Sequence, residues 1–220
     1  MIETLILETL YLILIAGPSL YIFFKVQDLH RFSGYKGLYY FSRAFLFLAA
    51  GFVFRFVIMI TKYIQGDLST IKTFDIMTFL MEWFLIMVGL LLLYTLVWKH
   101  FEKKHVAYNW RGFPITVASI AALIALADIL TQNFYFMYIS QIIVFGTASV
   151  ISLSKYLKKK NNFLQLYFIS MILFLIVWIF NFIAQYTIDD FPIMRLYAYL
   201  LTVSACLVIM YVVNQLTRRQ

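Results

Sequence analysis

The chain has 220 residues, a formal net charge of +8, 64% hydrophobic residues and only 13% charged ones. Its mean hydropathy is +0.88. Soluble domains carry roughly 45–50% apolar and about 25% charged residues, so this composition excludes an ordinary soluble domain. Several apolar runs of about 20 residues identify an integral, multi-pass, all-α membrane protein whose first partner is the lipid bilayer.

Seven apolar segments follow in chain order, over about 2–24, 37–60, 76–98, 113–132, 134–153, 163–186 and 192–215. The first carries Glu3 and Glu8 where a cleaved signal peptide would carry positive charge, so it is expected to persist as a span. It also holds Gly17-Pro18-Ser19. An interior proline opens the backbone hydrogen-bond ladder and bends a helix. The second segment contains Arg43 and Arg55 inside an almost wholly apolar stretch. An arginine near the bilayer centre costs roughly 2.5–3.5 kcal/mol on the lenient insertion scale. The third contains Glu82, flanked by Met81 and Trp83 and too short to snorkel.

The fourth and fifth segments are joined only by Thr131-Gln132-Asn133, which predicts a tight helical hairpin, with a re-entrant pair as the alternative. The fifth includes Gly146-Thr147-Ala148-Ser149, a small-residue run suited either to close helix packing or to a hinge. Thus Pro18, Gly17 and Gly146 are the candidate hinge positions.

Basic residues alternate between loops. Lys25, Arg31 and Lys36 fall in the first, Lys99, Lys103, Lys104 and Arg111 in the third, Lys155 and Lys158 to Lys160 in the fifth, and Arg218-Arg219 in the tail. The positive-inside rule then predicts an outer N-terminus and a cytoplasmic C-terminus, in the plasma membrane of a prokaryote. The net charge is accounted for by this asymmetry and by attraction to anionic lipid, with no nucleic-acid partner expected. Cys206 is the single cysteine, so no intrachain disulfide exists.

Spans one to three and five to seven share landmarks. Tyr40-Phe41 answers Tyr167-Phe168, Phe54-Arg55-Phe56 answers Phe180-Asn181-Phe182 with a one-residue slip, and Tyr94 answers Tyr211. The pattern suggests parallel three-helix repeats over 1–100 and 134–216, with a linker helix at 113–132. This 3+1+3 topology resembles the superfamily of SWEET sugar transporters, PQ-loop amino-acid transporters and KDEL receptors. "SGYKG" at Ser33–Gly37 is similar to a short turn after the first helix in some of these proteins, and "VWIFNF" at Val177–Phe182 to the Trp-rich stretch of the receptors. The chain departs from the family at Asn181, where the receptors place an arginine, and it contains no Pro-Gln dipeptide. An opsin is excluded, because residues 161–220 contain no lysine for a Schiff base.

At about 1.5 Å of rise per residue, one polar layer receives a group from every span. Its members are Glu8, Arg55, Glu82, Asp128, Gln141, Asn181 and Arg195. Equal depth on neighbouring helices predicts an Arg55–Glu82 pair, serving either as a helix–helix fastener or as part of an outward-facing site. Such a site suits a small polar or zwitterionic solute. Arg43, nearer the cytoplasmic end, is expected to snorkel.

The three histidines, no two at metal-pair spacing, fall in loops, and no phosphate loop, nucleophile elbow or catalytic carboxylate motif occurs. No enzymatic activity, cofactor or metal is therefore expected. A small-solute transporter or facilitator is the leading expectation. The alternatives are a seven-helix receptor or sensor signalling through a partner, and an accessory subunit of a membrane complex. A homo-oligomer or membrane partner is compatible with all three.

Overall fold

The structure is a computed structural model that describes residues 2–65, 72–103, 112–160, 162–186 and 192–217. It contains seven helices: α1 (Ile2–Ser33), α2 (Lys36–Gln65), α3 (Lys72–Lys103), α4 (Gly112–Thr131), α5 (Tyr135–Lys159), α6 (Asn162–Tyr186) and α7 (Pro192–Thr217). Six are long and apolar enough to cross a bilayer, while the apolar part of α4 covers only Ile115–Thr131. The chain is an all-α, multi-pass membrane protein.

The helices outlast the apolar windows that reveal them. Helix α1 runs nine residues beyond the expected end at 24, and α5 six beyond 153. Intrahelical hydrogen bonding continues where the side chains turn polar, so apolarity marks the membrane-embedded part of a helix and not its end. Lys25, Arg31, Lys155 and Lys158 accordingly lie on helices and not in loops. The α1–α2 link is reduced to Gly34-Tyr35. Gly34 takes φ +64°, and its N–H donates to the His30 carbonyl at 2.8 Å, closing α1 in the left-handed form that glycine adopts without a Cβ penalty.

Six helices form a closed ring in the order α1, α2, α3, α5, α6, α7, with α7 returning to α1. Helix α4 lies outside it, against α3 and α5. The α1–α2 and α2–α3 interfaces are the most extensive, and the two seams α3–α5 and α7–α1 the least extensive within the ring. In lipid, such packing draws on van der Waals fit and interhelical polar contacts more than on hydrophobicity. At Gly51 in α2, an added Cβ would lie 2.9 Å from Leu85 Cδ2 of α3. The seams carry polar ties instead. Tyr21 donates to Asn214 Oδ1 at 2.6 Å across α1–α7, and Gln141 Nε2 donates to the Leu85 carbonyl at 3.3 Å across α3–α5. The bundle exterior shows large apolar side chains such as Ile13, Leu123, Leu130, Ile143 and Val150, the surface that lipid requires.

The expectation of close packing at Gly146 is corrected. Nothing lies within 4 Å of a Cβ built there or at Gly17; both positions have open space beside them. Ala148 and Ser149 of the same run lie on the buried face of α5. Helix α1 remains helical through Pro18.

These spaces predict a contrast. Gly51→Ala should destabilise the purified protein by about 1–3 kcal/mol through overpacking. Gly146→Ala should be neutral or should stabilise by about 0.5–1 kcal/mol through helix propensity. Unfolding midpoints of the two variants, measured in one detergent, check the pair.

Candidate ligand cavity

The half of the ring nearest the N-terminus encloses a cavity of 460 Å³, within the range of roughly 300–1,000 Å³ common for small-molecule sites. All six ring helices line it, and no described side chain of α4 does. Along α2 the lining runs from Leu48 to Lys62, about 21 Å at 1.5 Å per residue. Exposed Lys62 and Gln185 lie towards the helix ends at its rim. Leu48, Val88, Phe145 and Phe174 form the deep end. The rings of Phe145 and Phe174 stack there at 5.2 Å with 28° between planes. Beyond them the ring interior is filled: the hydroxyls of Thr95 and Tyr167 bond at 2.9 Å, and Tyr167 donates to the Leu92 carbonyl at 3.3 Å.

Arg55 stands in one wall. Its Nη2 donates to Glu8 Oε1 at 3.1 Å and Oε2 at 3.3 Å and also bonds the Tyr199 hydroxyl. That hydroxyl donates in turn to Glu8 Oε1. The guanidinium carbon lies 5.1 Å from the Tyr11 ring centroid and 5.0 Å from that of Tyr199, and the two rings stack at 3.9 Å. Charge pairing, hydrogen bonding and two ring faces thus compensate the lost hydration of Arg55, tying α1, α2 and α7 together. The side chain keeps 31% of its surface, and its Nε and Nη1 make no hydrogen bond among the described residues.

The expected Arg55–Glu82 pair does not form; Glu8 is the partner. Depth along the bilayer is set by residue count, but direction changes by about 100° per residue around a helix. Met81, Leu85 and Val88 turn α3 towards the cavity, which directs Glu82 towards α4. Glu82 is 1% exposed and lies beside Asp128, with its Oε2 buried and without a hydrogen-bond partner among the described residues. Asp128 accepts from the backbone N–H groups of Phe136 at 2.8 Å and Met137 at 2.7 Å. It thereby caps the start of α5 from the end of α4 and fixes the hairpin foreseen at Thr131-Gln132-Asn133. Gln132 takes φ +52° in that turn. Trp83 donates its indole N–H to the Ala118 carbonyl at 3.0 Å, a second α3–α4 tie.

Of the seven residues expected in one layer, the cavity gathers Glu8, Arg55 and Asn181. Glu82 and Asp128 join α3 to the α4–α5 hairpin. Gln141 is fully buried in the α3–α5 seam, where a Cβ on Gly89 would lie 2.4 Å from its Oε1. Arg195 belongs to α7, but its side chain lies outside the described residues, as do those of His100 and His105. Asn181 donates to the Val177 carbonyl at 2.9 Å and lines the wall opposite Arg55. Arg43 lies over Phe23 at 5.7 Å and Tyr39 at 5.2 Å, and its Nε is buried without a hydrogen-bond partner among the described residues, so it packs within the bundle.

The aromatic lining was not foreseen. Tyr11 lies three residues from Glu8, one helical turn away. Tyr11, Phe52, Tyr138, Trp178 and Tyr199 all reach the cavity, yet with aromatics at 20% of the chain, composition alone cannot separate them from rings facing lipid.

The carboxyl pair makes a separable prediction. Glu82→Gln places a neutral amide donor beside Asp128 and should leave stability near wild type. Asp128→Ala removes a cap and should cost about 0.5–2 kcal/mol, read as a lower unfolding midpoint.

No family model matches the chain, and no solved structure matches it. The chain is similar to a protein of Archaeoglobus fulgidus that carries the name "Uncharacterized protein", with 26% identity over 222 residues covering 96% of this chain and 92% of that one.

Proposed function

We propose that the protein is a small-solute transporter or facilitator of the plasma membrane, with its N-terminus outside and the cavity facing out. The supporting observation is a cavity entered at one end of the ring and blocked at the other by Phe145, Phe174 and the Thr95–Tyr167 contact. A central site with one side closed is what one state of an alternating-access carrier requires. The ring also has two mechanical halves, α1–α3 and α5–α7, meeting at its two least extensive interfaces. Rocking at these seams, with Pro18 in α1 and Gly146 in α5 as flexing points, would open the closed side. The basic ends of α1 and α5 would then lie in the cytoplasm.

This architecture is compatible with the SWEET-like 3+1+3 resemblance. A receptor would use the same cavity without opening its floor.

Accessible cysteines separate the two. In a Cys206→Ser background, Ala184→Cys marks the outer cavity and Thr95→Cys lies beyond the floor. In sealed vesicles, a membrane-impermeant thiol reagent should modify Ala184→Cys from the cavity side. A transporter should also let Thr95→Cys react, more slowly, from the opposite side. A Thr95→Cys that stays inert from both sides while Ala184→Cys reacts rapidly would rule out alternating access.

A further inference from the structure

Two of the three helix pairs that wall the cavity, α1 with α5 and α2 with α6, repeat at an interval of 126 residues, which the described lining of α3 and α7 does not share. In α2 and α6, Leu48 pairs with Phe174, Phe52 with Trp178, Arg55 with Asn181, Ile58 with Ala184 and Met59 with Gln185. The same interval carries Glu8 to Phe134 and Tyr11 to Met137. One helix pair could fall into step through helical periodicity alone. Agreement of α1 with α5 at the interval that relates α2 to α6 requires that both pairs hold equivalent places. Ring order agrees: exchanging α1–α3 with α5–α7 turns the α3–α5 seam into the α7–α1 seam. The α1–α2 and α5–α6 walls thus hold equivalent places around an axis along the bundle, and the cavity's chemistry lies in where they differ.

They differ consistently. Glu8 and Arg55 in one half face Phe134 and Asn181 in the equivalent places of the other. The second half is aromatic: Tyr138 and Trp178 meet at 5.9 Å, and Tyr138 and Phe182 at 6.2 Å. With Glu82 and Asp128 directed away, the carboxylates and cations of the lining among the described residues are Glu8, Arg55 and Lys62, a formal charge of +1. Glu8 is engaged by Arg55 and Tyr199, whereas Arg55 retains N–H groups at Nε and Nη1 without a partner among the described residues.

We propose that the ligand is a small amphipathic organic acid. Its single carboxylate lies at Arg55, drawn in by Lys62 at the rim, and its compact aromatic or branched apolar body lies against Phe134, Tyr138 and Trp178. This rests on the solute-site reading above and narrows it from any polar or zwitterionic solute to a monoanion with an apolar end. Arg55 can add a charge-assisted hydrogen bond to a carboxylate without releasing Glu8. An amine would have to compete with Arg55 for Glu8, and a sugar would leave the aromatic half facing an ill-matched polar rim.

The test is thermal unfolding of the full-length purified protein with millimolar 3-phenylpropionate, 3-phenylpropanol, 3-phenylpropylamine, propionate, glucose and phenylalanine. The expected result is a rise of several degrees with 3-phenylpropionate, and at most a small one with each of the others. Lys62 is exposed, so Lys62→Gln should fold normally; it should weaken the response to the acid without altering the response to the alcohol. Trp178→Leu should reduce the acid's effect at least several-fold. Equal stabilisation by acid and alcohol, or by phenylpropionate and propionate, would overturn the proposal. Stabilisation only by the amine, by glucose or by phenylalanine would also overturn it while leaving a solute site in place. Silence from every compound would count against the site itself.

Discussion

A guanidinium within an apolar span must find partners in the protein, because the bilayer offers none. Arg55 finds Glu8, Tyr199 and two tyrosine faces, and those partners sit on α1 and α7. The arginine of α2 therefore fixes how three helices meet around one side of the ring. Truncating a single member leaves the other charge in a poor environment, so the group acts as a unit. Its geometry also leaves part of the guanidinium facing the cavity. One arrangement thus stabilises the wall and supplies its positive potential.

The rest of the bundle divides its polar groups by task. The α3–α5 seam is tied by side chains reaching main-chain carbonyls, as Gln141 reaches Leu85 and Lys155 reaches Leu96, and the α7–α1 seam by side-chain pairs such as Tyr21 with Asn214. Interhelical hydrogen bonds in membranes average only about 0.6 kcal/mol, so such ties position helices without locking them. Helix α4 stands outside the ring and holds the Glu82–Asp128 pair against α3. Its removal from the cavity lining changes the site's charge: a layer that contained three acids by depth alone contains one by direction. On the proposed function, that difference selects an anion over a cation.

Much of this was legible in the residues. The number of helices, six of them long and apolar enough to cross a bilayer, the α4–α5 turn and the anomalous character of Arg55 and Glu82 follow from composition and depth. What depth could not supply was direction around each helix, and so Glu82 was matched to Arg55 when Glu8 held the place. A finer sign was present on α3. Met81, Leu85 and Val88 fall on one apolar stripe, while Thr78, Glu82 and Gly89 fall on another that meets α4 and α5. The landmark match between the halves was also visible, but with a slip of one residue. The cavity lining removes the slip on α2 and α6, because wall positions are fixed by the shared centre and not by sequence likeness.

The most direct measurement is a pair of double-mutant cycles on unfolding free energy, Arg55→Gln with Glu8→Gln and Arg55→Gln with Glu82→Gln. Residues in contact couple, and separated ones add to within about 0.5 kcal/mol. The cavity wall described here predicts a coupling of at least about 1 kcal/mol between Arg55 and Glu8 and additivity between Arg55 and Glu82. Strong coupling of Arg55 to Glu82 with none to Glu8 would contradict it, and would return both carboxylates of the α3–α4 contact to the centre of the bundle.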